Sequence, residues 1–257
     1  MPGILSLVRA CKYSYEPNRL GYCGPEHANE KFLSFIQNPS GQKGEEAKGL
    51  LEKFPALYPY LSLIAEKNGL QPFAGQKPGE KTASLEPFDS EVIDAYWLGS
   101  KLLEKVERKD VENLILSKFS GEGLLPKNLA GEKARNLPEK PLISHSFHVL
   151  YMNFITKKVK PILKNLDSCL VKGAKVEEAK EKSFSVKTYS LLHESGSFKL
   201  REKKMKIEKG FCAKAIKGDF VSTHWNSAVE IISEEENGSI KNYLEKNLGS
   251  AKRDCLE

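Results

Sequence analysis

The chain has 257 residues, of which 40% are hydrophobic and 29% charged, and its formal charge is +6. This composition belongs to a globular protein and excludes a disordered one, while no apolar run approaches the roughly 18 residues that span a bilayer. Lysines alternate with glutamates, as at Glu177, Glu178, Lys180, Glu181 and Lys182. That mixture marks a solvated face and not a one-sided phosphate-binding stripe.

In chain order, residues 1–10 are mildly apolar, without a basic leader or a full signal-peptide core. They are expected to form an ordinary first strand or helix, in a cytoplasmic protein. Leu20-Gly-Tyr-Cys-Gly-Pro25 then sets Cys23 between glycines, just before an expected helix over 26–36. A thiol near a helix N-terminus can become a nucleophile or a ligand, and flanking glycines allow close approach. A buried cysteine in a turn is the plainer alternative, with Asn18 and Arg19 serving a polar site there or making turn contacts.

Further helices are expected over 45–53, 58–67 and 89–107. In the last, Asp89 stands as cap, and Val92, Tyr96, Gly99, Leu103 and Val106 share one face. Tyr96 and Trp97 read as core. Residues 75–79 read as a loop from their glycines and proline. Another helix is expected over 110–119, and a polar stretch over 126–141 separates the helical part from the C-terminal part. Residues 143–152, with Phe147, Val149 and Tyr151, read as a strand. His145 and His148 would then face opposite sides, so at most one of them should join a shared site.

From 166 onward, β-like runs at 169–176, 183–192, 197–200, 204–207 and 220–224 alternate with charged or glycine-containing turns, which suggests a small barrel. Ser233 and three glutamates precede a closing helix over 240–248, where acidic residues complement the helix dipole. The expected fold class is α+β: a mainly helical domain over 1–160, carrying the Gly-Tyr-Cys-Gly-Pro and Ser-His-Ser-Phe-His motifs, and a small barrel with a terminal helix over 161–257.

The five cysteines are Cys11, Cys23, Cys169, Cys212 and Cys255. Their odd number and wide scatter argue against a disulfide framework or a zinc ribbon, and favour reduced thiols. Cys169 opens one expected strand and His224 closes another. If both strands share a barrel, the thiolate and imidazole can meet at its rim. Such a pair suits iron or zinc, or an activated sulfur nucleophile. Candidate metal ligands are therefore Cys169 and His224, with Cys23, His145 and His148 as further ones. Cys11, Cys212, Cys255, His27 and His193 have no comparable context. No GxGxxG, P-loop, HExxH or GxSxG motif occurs, which argues against nucleotide-driven, zincin and serine-hydrolase chemistry.

Two segments carry a resemblance. Cys169, Leu170, Gly173 and Val176 follow the residue order of a Cys-Leu-x-x-x-Gly-x-Val opening, with the glycine one position nearer the cysteine, and Gly218, Asp219, Phe220, Val221 and His224 match Gly-Asp-aromatic-Val-x-x-His. With the apolar segment 228–232 and the acidic one after it, this region resembles the small hydrogenase-maturation chaperones of the HypC/HupF type. Here the cysteine is internal, Lys172 stands where that family has proline, and about 160 residues precede the module. The part before it resembles an uncharacterised family that carries such a barrel at its end.

The resemblance implies an OB-like barrel. It also implies that Cys169 binds an iron centre bearing cyanide and carbon monoxide, with His224 beside it, during assembly of nickel–iron hydrogenase. The expectation is a non-enzymatic metallochaperone with iron as cofactor. Its partners would be other maturation factors or a hydrogenase large subunit, with no membrane and no nucleic acid. Two alternatives stand beside it. One is a thiol-dependent enzyme with Cys23 as nucleophile and His145 or His148 as base. The other is a nucleic-acid-binding OB-like module using Phe184, Tyr189, Phe198 and Trp225.

Overall fold

The computed structural model describes residues 3–69, 85–153 and 155–249. The loop expected at 75–79 and Cys255 lie outside them. The chain is α+β, as its composition of elements suggested: helices first, then five strands that close into a barrel, then a C-terminal helix.

α1 (Ile4–Arg19) buries Leu7, Ala10, Cys11, Tyr13 and Ser14 along one side. α2 (Ala28–Gln37) and α3 (Gly41–Leu51) follow, the latter capped by Ser40, whose hydroxyl accepts from the Lys43 N–H. α4 (Tyr58–Asn68) comes next. α5 (Ser90–Trp97) is shorter than the helix expected over 89–107, because Gly99 turns the chain with φ of 85°. A 3-10 turn, Lys101–Lys105, completes that stretch. Asp89 does not cap α5 with its side chain; its carboxylate accepts from Glu86 N–H instead.

α6 (Arg108–Asn113) runs into a π-helical segment, Leu114–Phe119. The polar stretch expected to be a separator contains α7 (Lys127–Arg135), which buries only Ala130 and Ala134 and so shows almost no apolar signature. The strand expected over 143–152 is a correction. Those residues form α8 (His145–Phe147) and a π-helical turn, His148–Met152. Every residue from Ile143 to Met152 is buried, so the apolar pattern has neither a two-residue nor a 3.6-residue period.

α9 (Leu163–Cys169) leads into β1 (Lys172–Ala179), so Cys169 ends a helix and stands just ahead of the strand. β2 (Ser183–Glu194) and β3 (Ser197–Glu208) form a long hairpin around Ser195 and Gly196, both with positive φ. That two-residue turn matches the strand twist, and β3 merges two runs that read as separate. β4 (Phe220–His224) and β5 (Ser227–Ile232) form a second hairpin, turning at Trp225 and Asn226. Segment 228–232 is therefore a strand. α10 (Glu234–Leu248) starts at a capping box between Ser233 and Glu236.

Round the barrel the strand order is β1-β2-β3-β5-β4, and β4 pairs back onto β1 with Lys172 opposite Thr223. Phe184, Val186, Val176, Ile207 and Val221 fill its interior. Gly173 lets β1 approach α10 closely: a Cβ there would lie 1.9 Å from Asn237 Oδ1. Beside this barrel interior, the core of the helical part reaches onto the barrel's flank and α10. One buried cluster runs from Leu7 and Tyr60 through to Val171, Val229, Ile232 and Ile240.

Polar contacts tie the same parts together. Arg9 pairs with Asp94, with Glu230 at 3.1 Å and with Glu236 at 3.4 Å. The Tyr13 hydroxyl bridges Ser222 Oγ and Glu230 Oε1 at 2.8 Å each.

Candidate metal centre

Four elements meet at the barrel rim facing α1. Asp167 sets the position of Cys169, since its Oδ1 accepts from the buried Lys172 Nζ at 2.8 Å and from Leu191 N–H at 2.7 Å. The ladder between β1 and β4 then brings His224 alongside, and Trp225 N–H donates to Ser168 O at 2.7 Å. α8 delivers His145 from the other side.

Cys169 Sγ lies 3.6 Å from His145 Nε2 and 3.7 Å from His224 Nε2. One ligand atom from each of these three buried residues falls within 4.8 Å of the others, a separation that one metal ion could bridge. Among the residues expected as ligands, the structure thus gathers Cys169, His224 and His145. His148 is adjacent, its ring centroid 6.5 Å from that of His145, because helical geometry puts residues three apart on one face. The opposite-face expectation fails with the strand. His148 Nδ1 partners the Tyr60 hydroxyl at 3.1 Å.

The imidazoles are oriented through their other nitrogens. His224 Nδ1–H donates to Tyr13 O at 2.8 Å, which leaves a lone pair on Nε2 directed at the thiol. For His145, the Tyr96 hydroxyl donates to Ala56 O at 2.7 Å, and its oxygen stands 3.2 Å from Nδ1, ready to accept from Nδ1–H. His145 Nε2 is also 3.0 Å from Cys169 O. With the proton on Nε2, that nitrogen donates to the carbonyl. With the proton on Nδ1, two acceptors face each other unless a cation stabilises them. The Tyr96 oxygen is placed to accept the Nδ1–H hydrogen bond in that second state.

Burial keeps all three groups neutral when no cation is present. The Cys169 thiol is pushed well above its ordinary range by burial, then by nearby Cys23, while the Trp225 indole N–H works against that shift. Burial lowers His145 strongly, helped by His224 and His148, and lowers His224 to about 4. A thiolate–imidazolium pair is thus disfavoured. A metal ion reverses the balance, since it takes neutral imidazoles as they are and displaces the thiol proton.

A cavity of about 40 Å³ adjoins the cluster, with Ser14, Cys23, Tyr96, Trp97, His148 and Trp225 in its wall. That is room for one to three water-sized groups. Cys23 is half-buried, and burial pushes its thiol up to about 12. Its loop is clamped by Asn18, whose Nδ2 donates to Cys23 O and Pro25 O at 2.8 and 2.6 Å. Arg19 pairs with Glu16. Among the described residues, the thiol hydrogen-bonded to imidazoles is that of Cys169.

Other residues are more ordinary. Cys11 and Cys212 are buried and free, and exposed His27 pairs with Glu30. Of the barrel aromatics, Phe184 is fully buried, and Tyr189 lies under Lys241. Two lysines of β3 pair with carboxylates, Lys203 with Asp167 at 3.6 Å and Lys204 with Glu177 at 2.9 Å. Among the described residues, no helix is long and apolar enough to cross a membrane.

Sequence reasoning missed Tyr13, Tyr96 and Ala56 as supports. Tyr13 and Ala56 act through backbone carbonyls, which leave no mark on residue type. Tyr96 shares its helix face with core residues.

The chain belongs to a family of unknown function, DUF6390, whose family pattern matches residues 7–256. No curated protein and no solved structure matches it.

Proposed function

We propose that this member of the DUF6390 family is a metal-holding accessory protein. His145 Nε2, Cys169 Sγ and His224 Nε2 bind one transition-metal ion and leave a coordination position open to the cavity. The observation that carries this reading is the convergence of those three buried ligand atoms within 4.8 Å. Two imidazoles and a thiolate suit iron(II), zinc or copper, and poorly suit magnesium or calcium, which take oxygen ligands. The backbone and tyrosine partners behind each imidazole are the kind of support that fixes metal-ligand tautomers.

Within that reading the protein carries an iron fragment for nickel–iron hydrogenase assembly, in the cytoplasm, and hands it to other maturation factors or to the hydrogenase large subunit. The ordered motif pair around Cys169 and His224 supports this version. The closed five-strand barrel is compatible with the OB-like module that the motif pair implies. An internal Cys169 offers no α-amine, and His145 supplies a nitrogen donor in its place. An iron bearing a full set of diatomic ligands needs more than the present cavity, so loading requires the rim to open against a partner.

The test is anaerobic purification of the full chain, alone and with its presumed partners. The expected result is about one iron or zinc per chain, lost in Cys169→Ala and in His224→Ala, with infrared CO and CN stretching bands in the partnered sample. Failure to load any transition metal on reconstitution would refute the metal-holding reading. Metal without those bands, together with intact hydrogenase activity in a Cys169→Ala strain, would refute the hydrogenase version alone.

A further inference from the structure

The cavity beside the cluster has an unusual wall. Among the described residues, five buried side-chain polar atoms have no hydrogen-bond partner, and three of them belong to residues lining this one cavity: Ser14 Oγ, Trp97 Nε1 and Trp225 Nε1. Each can donate a hydrogen bond, and an indole nitrogen can do nothing else. Leaving such a group unpaired costs on the order of 1–3 kcal/mol, and native proteins rarely collect several in one place.

Trp225 adds a second sign. It occupies the first position of the two-residue turn between β4 and β5, with φ of 51°, and Asn226 follows at 62°. Asparagine tolerates that conformation, whereas a bulky aromatic there is an outlier held in place by its surroundings. Its surroundings are the Tyr22 ring at 4.6 Å and the backbone bond to Ser168. They hold the indole beside Cys169 with its N–H lacking any partner within hydrogen-bond distance. Trp97 is held as firmly, stacked on Tyr13 at 4.8 Å with its ring 4.6 Å from that of His145.

We propose that this cavity is a binding site for a small monoanion of the size of hydroxide, cyanide or azide, which completes the coordination of the metal and accepts hydrogen bonds from Trp225 Nε1–H and Ser14 Oγ–H, with Trp97 Nε1–H as a third donor. This rests on the metal reading above. Charge balance points the same way. A divalent ion with one thiolate and two neutral imidazoles keeps one net positive charge. The rest of the wall combines apolar groups such as Pro17, Phe54, Leu57 and Val159 with Cys23 and His148, both held neutral by burial, so that charge is costly to leave uncompensated. One monoanion neutralises it. The volume of about 40 Å³ admits a diatomic or triatomic ion.

The test uses the full chain loaded anaerobically with cobalt(II), whose thiolate charge-transfer and visible d–d bands report the metal, and azide as the probe. Azide is expected to shift the d–d bands saturably. At saturating cobalt, Trp225→Phe should weaken azide about ten- to hundred-fold, the range for a hydrogen bond to a charged group. Ser14→Ala should weaken it by a smaller factor, and it retains the test should the tryptophan variant not fold. Normal cobalt bands that azide leaves unchanged would overturn the anion site and leave the metal site standing. So would azide binding as tightly to both variants as to the parent protein. Absence of cobalt bands would overturn the metal site, and the anion site with it.

Discussion

Replacing Tyr96 by phenylalanine removes one oxygen from the support of the metal cluster and keeps the ring. That oxygen serves two buried partners, Ala56 O at 2.7 Å and His145 Nδ1 at 3.2 Å. Its loss leaves the carbonyl without that donor and the imidazole free to choose its tautomer. An unsatisfied buried partner costs about 1–3 kcal/mol, which should appear as a lower denaturant midpoint in the metal-free protein. The effect on zinc affinity should be separate and larger in kind, about 10–100-fold, as for other outer partners of histidine ligands.

The control is Tyr60→Phe, which removes the matching hydroxyl 3.1 Å from His148 Nδ1. It should lose similar stability with zinc affinity within a few-fold of the parent. The assay is competition against a chromophoric chelator, alongside urea unfolding. The reasoning is refuted if Tyr96→Phe holds zinc as tightly as the parent, or if the two variants weaken zinc equally.

Two more outcomes stem from burial. His148 is lowered to about 3 and His224 to about 4, both chiefly by burial, and His145 is lowered further by its neighbours. Unfolded histidine takes up its proton near 6.5, so below that pH the unfolded chain binds protons that the fold refuses. Stability is present above about 6.5 and falls as pH drops towards 4, by about 1.4 kcal/mol per pH unit for each histidine. Urea midpoints of the metal-free protein that stay flat between pH 7 and 5 would contradict this. Separately, Gly99→Ala should lower the melting temperature by several degrees. Gly99 has φ of 85°, and a Cβ there would lie 2.4 Å from the Tyr243 ring, where α10 packs against the end of α5. An unchanged melt would show that this joint yields easily.

Local signals served well where one kind of residue does one job. Asn68 and Gly69 end α4 where a stop was expected, and Ser233 with Glu236 starts the last helix. The strand at Phe220–His224 stands where its turn and branched residues put it. They failed where burial is uniform. Between Ile143 and Met152 both faces are covered, so periodicity carried no information and a helical turn read as a strand. They failed again at 126–141, where two alanines are all that α7 buries.

The α+β order of elements, the scatter of the cysteines and the candidacy of Cys169 and His224 as a pair were legible in the chain, although Cys169 closes α9 and does not open a strand. Those rest on turn chemistry, two-residue alternation and motif spacing, all local properties of the chain. Only the tertiary structure decided that His145 joins them, that carbonyls of Tyr13 and Cys169 and the hydroxyl of Tyr96 face the imidazoles, and that unpaired donors from α1, α5 and the turn after β4 line one cavity. These groups are up to 211 positions apart in the chain. Their meeting depends on a core shared by helices and barrel, and no local pattern of residues encodes which carbonyl or indole will face which ring.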